Sequence, residues 1–325
     1  MKKHVVAALL LIAAGAMSAA ANAAGADSYP DRPVKLIVGF QPGGPTDLFA
    51  RLIAQKLSEE SGKNFFIENV PGAGGDVGAG RAAQAAPDGY TLLVTGGNLT
   101  NNPFLYNHVP YDPLKSFDAV TLGSSTPVVL AINPSVPAHS VKELVELIRA
   151  TPGKFSFASP GTGTPPQLVG SLFTQALKLD LVHVPFDGGG VAVEATVGGH
   201  TQLSFGALAP ALPLIKSGQL RALAVTGKER APSLPDVPTM AEAGFPEVVG
   251  ATWTAVVAPA GTPKDIIAKL NGMIVKGLAA PDVKAKLASM AYVGIGNSPE
   301  QCTQFFKDEM ATWSKVIKDA GLHAE

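Results

Sequence analysis

The chain has 325 residues, 46% hydrophobic and 16% charged, with 25 Lys and Arg against 26 Asp and Glu and a formal net charge of −1 at pH 7. That balance excludes the basic footprint that nucleic acid or an anionic membrane surface selects. A single cysteine, Cys302, excludes an intramolecular disulfide and any metal site built from cysteines. Cores stop growing at roughly 250–300 residues, so two lobes are expected at this length.

Lys2 and Lys3 precede an apolar run from Val5 to about Met17, followed by small residues and Ala21-Asn22-Ala23. This is the pattern of a secretory signal peptide over residues 1–23, and its apolar part falls short of the ~20 residues of a spanning helix. Cleavage after Ala23 and export to the periplasm are expected. No cysteine stands at that site to carry a lipid anchor.

Short β-branched runs then alternate with helical stretches, the order of an α/β protein whose parallel sheet is flanked by helices. Residues 34–40, 65–70 and 91–95 read as strands, each followed by a Gly-rich turn and a helix. The helix starting near Thr46 carries Leu48, Phe49, Leu52, Ile53 and Leu57 at helical spacing. A second series of strands is expected near 128–133, 155–159, 181–186, 203–206 and 220–226. Ser140 with Glu143, Thr164 with Gln167, Thr239 with Glu242 and Ser298 with Gln301 fit the capping box. Pro165, Pro263 and Pro299 suit first helical positions, where a missing N–H costs nothing. Residues 255–325 read as helical, at 263–278, 282–290 and 299–319, with few strands. The simplest arrangement makes one lobe from residues 24–122 and 251–325 and inserts residues 123–250 as a second lobe. The crossings near 122–127 and 250–255 then form a two-segment hinge.

Three Gly-rich turns stand between strand and helix: GFQPGGPTD (39–47), SPGTGTPPQ (159–167) and VPFDGGG (184–190). A helix N-terminus presents unpaired N–H groups, so such turns hold a carboxylate or phosphate without a basic side chain. None of the three contains Lys or Arg. The amides of Gly43 and Gly163 are expected to face the ligand, so that proline at either position weakens binding and spares the fold. Thr46, Ser159, Thr162 and Thr164 are the candidate hydroxyls, with helix capping the competing role for Thr46 and Thr164. Asp47 and Asp187 either stabilise helix starts or accept from an amino or hydroxyl group of the ligand, and Asp187 is the stronger candidate for the second role.

Enzyme signatures are weak. FASPG around Ser159 has Phe157 where a nucleophile elbow needs glycine. PGAGGDVG has Val77 at the third glycine position of a dinucleotide loop, and no Walker lysine follows. His108, His139, His183, His200 and His323 show no metal-ligand spacing. His183 reads as a packed or hydrogen-bonded core residue.

YPDRPVKLIVGFQPGGPTDLFAR (29–51), ENVPGAGGDVGAGRAAQAAPDGYTLL (68–93), NPSVPAHSVKELVELI (133–148), GQLRALAVTGKERAPSLPDVPTMAEAGFP (218–246) and APAGTP (258–263) run in order along the chain. Together they resemble the hallmark blocks of the tripartite tricarboxylate transporter receptors, the Bug-type binding proteins. The resemblance implies a class II periplasmic-binding-protein fold, two doubly wound lobes closing over a ligand cleft like a flytrap. Relatives bind small carboxylates, acidic amino acids and some aromatic acids through backbone amides, often with bridging waters. Carried over position by position, this points to Phe40, Gly43, Gly44, Thr46 and Asp47 from one lobe. From the other it points to Thr162, Gly163, Thr164, Phe186, Asp187, Gly188 and Gly189, with Gly97 and Asn98 as side-wall contacts. The chain departs from relatives at Asp187, where Lys is common, at Gln167, where His is common, and at Phe205-Gly206. The expectation is a monomeric receptor, not an enzyme, without cofactor or metal, delivering a small carboxylate to a membrane permease. The alternatives are a sensor presenting its ligand to a histidine kinase, and a hydrolase using Ser159, His183 and Asp187.

Overall fold

The computed structural model describes residues 28–186 and 188–323. The leader read at residues 1–23 and the candidate ligand residue Asp187 lie outside this range. Alternation along the strands explains the layering. In β1 (Val34–Val38), Leu36 and Val38 face one cluster and Ile37 the other. In β3 (Thr91–Gly96), Leu92 and Val94 oppose Leu93 in the same way. Both faces of these strands are apolar, so helices must cover both.

One face is covered by α1 (Pro45–Ser61), through Phe49, Ala50, Ile53, Ala54 and Leu57, and by α8 (Lys264–Ala279), through Ile267, Leu270 and Ile274. The stripe expected on α1 is rotated: Leu48 is 43% exposed, and the two alanines take its place in the core. The other face carries α2 (Asp76–Ala83), α3 (Asn98–Leu105) and the start of α10 (Pro299–Asp319).

The strand order is β2-β1-β3-β9-β4-β7-β5-β6, with β8 and β10 also pairing β4. Here β2 is Phe65–Asn69, β4 Phe117–Ile132, β5 Phe155–Ser159, β6 Leu181–Pro185, β7 Leu203–Ala207, β8 Arg221–Val225, β9 Ala251–Pro259 and β10 Val293–Gly294. β1 runs parallel to β2 and β3, and β5 to β6 and β7, as expected. The sheet is nevertheless mixed, because β9 is antiparallel to β3 and β4, and β4 to β7 and β8.

β4 corrects the expectation of a short strand after a connecting segment. Its sixteen residues span ~50 Å of extended chain. Residues 117–127 pair with β9, and residues 128–132 pair with β7 and β8. The crossing at 122–127 is thus ladder and not loop. It is bulged between Leu122 and Ser124, where a Cβ on Gly123 would overlap the ring of Phe49. β9, unread in the sequence, returns beside it.

The inserted half repeats the scheme with Val128, Leu130 and Ile132 facing one cluster and Val129 and Ala131 the other. α4 (Val141–Ala150) and α5 (Pro165–Ala176) supply Leu144, Ile148, Leu168, Val169 and Phe173 to the first cluster. α6 (Gly189–Val197) and α7 (Leu208–Lys216) supply Val193, Leu208 and Ala211 to the second. α9 spans Pro281–Ser289. α10 reaches both halves: Cys302 and Phe306 lie in the first lobe's core, and Trp313 and Ile317 in the second's.

The capping boxes at Ser298/Gln301 and Thr239/Glu242 form in full, the latter on a single turn with no helix behind it. At Ser140 the hydroxyl accepts from Glu143 N, but the Glu143 carboxylate reaches His139 N instead. The expected box at Thr164 does not form. The Thr164 hydroxyl donates to Gly161 O at 2.7 Å, and Gln167 accepts from Gly163 N. Pro263 is the residue before α8, one position earlier than expected.

Candidate functional site

The first turn leaves β1 at Gly39, whose place is set by backbone contact. A Cβ on Gly39 would lie 2.8 Å from the Gly75 carbonyl oxygen, and one on Gly78 would lie 2.8 Å from Gly39 Cα. The PGAGGDVG segment is therefore a floor on which this turn rests. Asp47, 1% exposed, organises the rest of the turn. Its Oδ2 accepts from Gly43 N at 2.9 Å and Arg51 Nε at 2.8 Å, and its Oδ1 from Arg51 Nη2 at 3.1 Å and Asn69 Nδ2 at 2.9 Å. Burial pushes this carboxyl up, but Arg51, Gly43 and Asn69 outweigh it and hold Asp47 below its ordinary value. Gly43 takes φ +89°, which turns its amide onto Asp47. The Gly43 N–H and both Asp47 oxygens are thus occupied by protein groups, and Asn69 also donates to Phe40 O.

Other donors remain. α1 starts after Gly44 with Pro45, which has no N–H, so Thr46 and Asp47 carry the free amides of its first turn. The Thr46 hydroxyl makes no hydrogen bond among the described residues, although the residue is only 9% exposed. Asn98, the first residue of α3, is 6% exposed and its side chain has no such partner either. It lies against Gly75, where a Cβ would meet Asn98 Nδ2 at 2.6 Å.

In the second lobe, Ser159 ties the two candidate turns together. Its carbonyl accepts from Phe186 N at 3.0 Å, and its Oγ lies 2.7 Å from His183 Nε2 and accepts from Gly161 N at 3.3 Å. Burial pushes His183 down to about 4, so the imidazole is neutral at pH 7, tilted on Phe157 with ring centroids 4.8 Å apart. Gly188 precedes α6 with φ +120°, and its amide donates to Phe186 O at 2.9 Å. A Cβ on Gly189 would lie 3.4 Å from Pro210 Cγ. Pro165 and Pro166 open α5 without N–H groups, which makes its N-terminus a poor anion cradle. α6 opens on glycines and lacks that defect. The Thr162 hydroxyl has no hydrogen bond among the described residues.

The two lobes meet at these turns. Gly97 faces Pro165, and a Cβ on Gly163 would lie 2.8 Å from Leu105 Cδ1 and 3.2 Å from Asn102 Oδ1. α3 therefore contributes more than its sequence suggested. Asn102 donates to Asp76 Oδ1 at 2.8 Å, as does Tyr111, while Asn101, fully buried, has an Nδ2 with no partner among the described residues. The signal was the run Asn98-Leu99-Thr100-Asn101-Asn102, four polar residues in five on a buried helix. Asp76 is pushed up by burial, against its bonds from Asn102 and Tyr111. Among the described residues no group of three or more His, Cys, Asp or Glu could hold a metal, and no helix is long and apolar enough to cross a membrane.

Two α/β lobes joined by paired crossing strands, with strand-to-helix turns of both lobes in contact, define a periplasmic binding protein of class II. A family model described as the tripartite tricarboxylate transporter family receptor matches residues 49–322, and the chain belongs to that family. It is 35% identical over 298 residues to Protein BugT of Bordetella pertussis, covering 91% of each chain. It is similar to the Rhodopseudomonas palustris protein Rpa4515, solved with adipate, at 33% identity and a TM-score of 0.85, covering 91% of this chain and 99% of that one. MatC from the same organism, with bound malate, matches at 34% identity and a TM-score of 0.81, covering 89% and 100%. Relatives of this kind are periplasmic binding and transport receptors.

Proposed function

We propose that this protein captures a small dicarboxylate or related organic acid between its lobes and hands it to the membrane permease of a tripartite transporter. One observation carries this reading. The turns brought together across the cleft hold no Lys or Arg, yet they present neutral groups unpartnered among the described residues: the Thr46 and Thr162 hydroxyls, the Asn98 side-chain amide and first-turn N–H groups of α1, α3 and α6. Hydrogen bonds to a charged group contribute about 1.5–3 kcal/mol each, so four or five of them reach micromolar affinity after entropy losses. The adipate and malate seen in two similar structures fit that chemistry. In this reading the floor residues Gly43, Asp47, Ser159 and Gly163 shape the site, while Phe40, Gly44, Thr46, Gly97, Asn98, Thr162, Thr164, Phe186, Gly188 and Gly189 line it, with Asp187, outside the described residues, a further candidate.

Residues 24–122 with 251–325 form one lobe and 123–250 the other in this proposal. Support comes from β4, which changes partners after Pro127, and from β9, which begins at Ala251. The leader at 1–23 is removed on export, and the protein acts as a monomer that cycles between open and closed states. Among the described residues, a hydrolase reading could use the Ser159–His183 hydrogen bond. Ser159, however, is fully buried and already bonded to Gly161, so it is not presented to a substrate. Isothermal titration of the purified mature protein with malate, adipate and their diamides tests the proposal, together with mass spectrometry of any co-purified ligand. Binding of the acids, and not of the neutral amides, supports it. A bound compound lacking any acid group, or turnover of the bound acid, would overturn it.

A further inference from the structure

A cavity of about 640 Å³ opens at the hinge, and none of the turn residues described above lines it. Its walls come from both lobes: β4 and β9 at their crossing, the segment from α9 to β10, α10, and the loop after β8. Trp253, Phe305, Tyr292, Val293 and Ile295 make it apolar, and Val293 and Ile295 are 55% and 43% exposed. The volume lies within the roughly 300–1,000 Å³ of small-molecule sites.

One charged group is set among these apolar residues. Trp253 Nε1 donates to Glu309 Oε2 at 2.8 Å, and Trp313 Nε1 donates to the same oxygen at 3.1 Å. Glu309 Oε1 is left without a partner among the described residues. Burial pushes this carboxyl up, the two indole N–H groups oppose the shift, Asp308 adds to it, and no cation acts on the group. Indoles are neutral donors, so they satisfy one oxygen and leave the charge uncompensated. Lys228, Glu229 and Arg230 line the exposed loop side of the cavity, and Arg230 is already paired with Glu242 at 2.8 Å.

We propose that this hinge cavity is a second binding site, for a small apolar ammonium compound whose body lies against Trp253 and Phe305 and whose ammonium group bonds Glu309 Oε1. The ammonium supplies both the missing donor and the missing charge. Its preference is the reverse of the carboxylate cleft, whose turns offer hydrogen-bond donors to an anion.

The chain has two tryptophans, Trp253 and Trp313, and both bond Glu309, so tryptophan emission reports directly on this site. Titration of the ligand-free protein with 2-phenylethylamine gives a saturable emission change, confirmed by calorimetry. 2-Phenylethanol binds at least tenfold more weakly, and 3-phenylpropanoate gives no saturable change. Glu309→Gln keeps an acceptor for both indoles and weakens amine binding at least tenfold. Ile295→Lys, at an exposed position of the wall, does the same and guards against a folding defect in the first variant. No saturable response to the amine, equal affinity for the alcohol, or wild-type amine affinity in both variants overturns the proposal. No carboxylate ligand is present in these titrations, so their failure leaves capture in the cleft standing.

Discussion

Gly97 in the first lobe lies against Pro165 in the second: a Cβ on Gly97 would sit 2.5 Å from Pro165 Cγ and 3.3 Å from its Cδ. The lobes approach this closely only because position 97 has no side chain. Gly97→Ala is therefore a wedge that acts on the closed state and spares the open one. Overpacking costs about 1–3 kcal/mol, so affinity for the carboxylate should fall roughly tenfold or more. The ligand-free protein should keep its melting temperature. Calorimetry with malate or adipate, beside small-angle scattering of the loaded protein, checks this, and unchanged affinity would show that the contact does not limit closure.

Thr46 and Asn98 are buried polar residues whose side chains bond nothing among the described residues, so their removal leaves no orphaned protein partner. Thr46→Val and Asn98→Ala should each weaken ligand binding by about 1.5–3 kcal/mol, or ten- to more than a hundredfold, if each bonds an ionised group. Thermal unfolding without ligand should shift by no more than a degree or two. A large loss of stability with little loss of affinity would assign these residues to the scaffold.

The strand and helix pattern was legible because both faces of the β1–β3 and β5–β7 layers are buried by helices of ordinary amphipathic spacing. β9 was not, although Thr252, Trp253, Thr254, Val256 and Val257 are β-branched or aromatic strand formers; its place as a strand comes from its pairing with β3 and β4. The glycines at 43 and 163 were legible as turn residues, but the direction of their N–H groups was hidden. At φ +89° and +81° the two amides point to Asp47 and to the Gln167 side chain. Proline at either position is incompatible with a positive φ, so Gly43→Pro and Gly163→Pro should cost stability as well as binding. Spacing alone does not show which side-chain oxygen takes a turn amide. For the same reason Asn101, Asn102, Asn69 and Arg51 escaped notice as neighbours of the candidate turns.

His183 gives the fold a pH dependence of known sign. Its folded value of about 4 lies below the ordinary value of 6.5, so between these limits the unfolded chain binds more protons. Stability is full above pH 6.5, falls as pH drops toward 4, and loses no more to this residue below that. The whole effect is on the order of 3 kcal/mol. His183→Gln keeps a hydrogen-bonding partner for Ser159 and should flatten that part of the curve. Denaturant melts of both proteins from pH 7 to 4 measure it, and parallel curves would exclude His183 as the cause.

Asp47 acts in the same direction but in a lower pH range, and on the turn itself. Its folded carboxyl titrates below the ordinary value of 3.8, so it contributes stability that is complete above that value and is lost as pH falls through the lower, folded one. Asp47→Asn keeps the size of the side chain but puts an amide N–H₂ where an oxygen received two of four donors, so one pair of donors is left facing it. The expected loss is about 1–3 kcal/mol at pH 7. Because the Gly43 amide is one of those donors, the turn that carries Gly44 and Thr46 loosens with it, and ligand affinity falls together with stability. Arg51→Ala removes the guanidinium and leaves the Gly43 and Asn69 bonds in place, so it should cost less on both measures. Melts and calorimetry on the two variants separate the contributions: equal losses would place the effect in the ion pair, whereas the larger loss in Asp47→Asn places it in the turn.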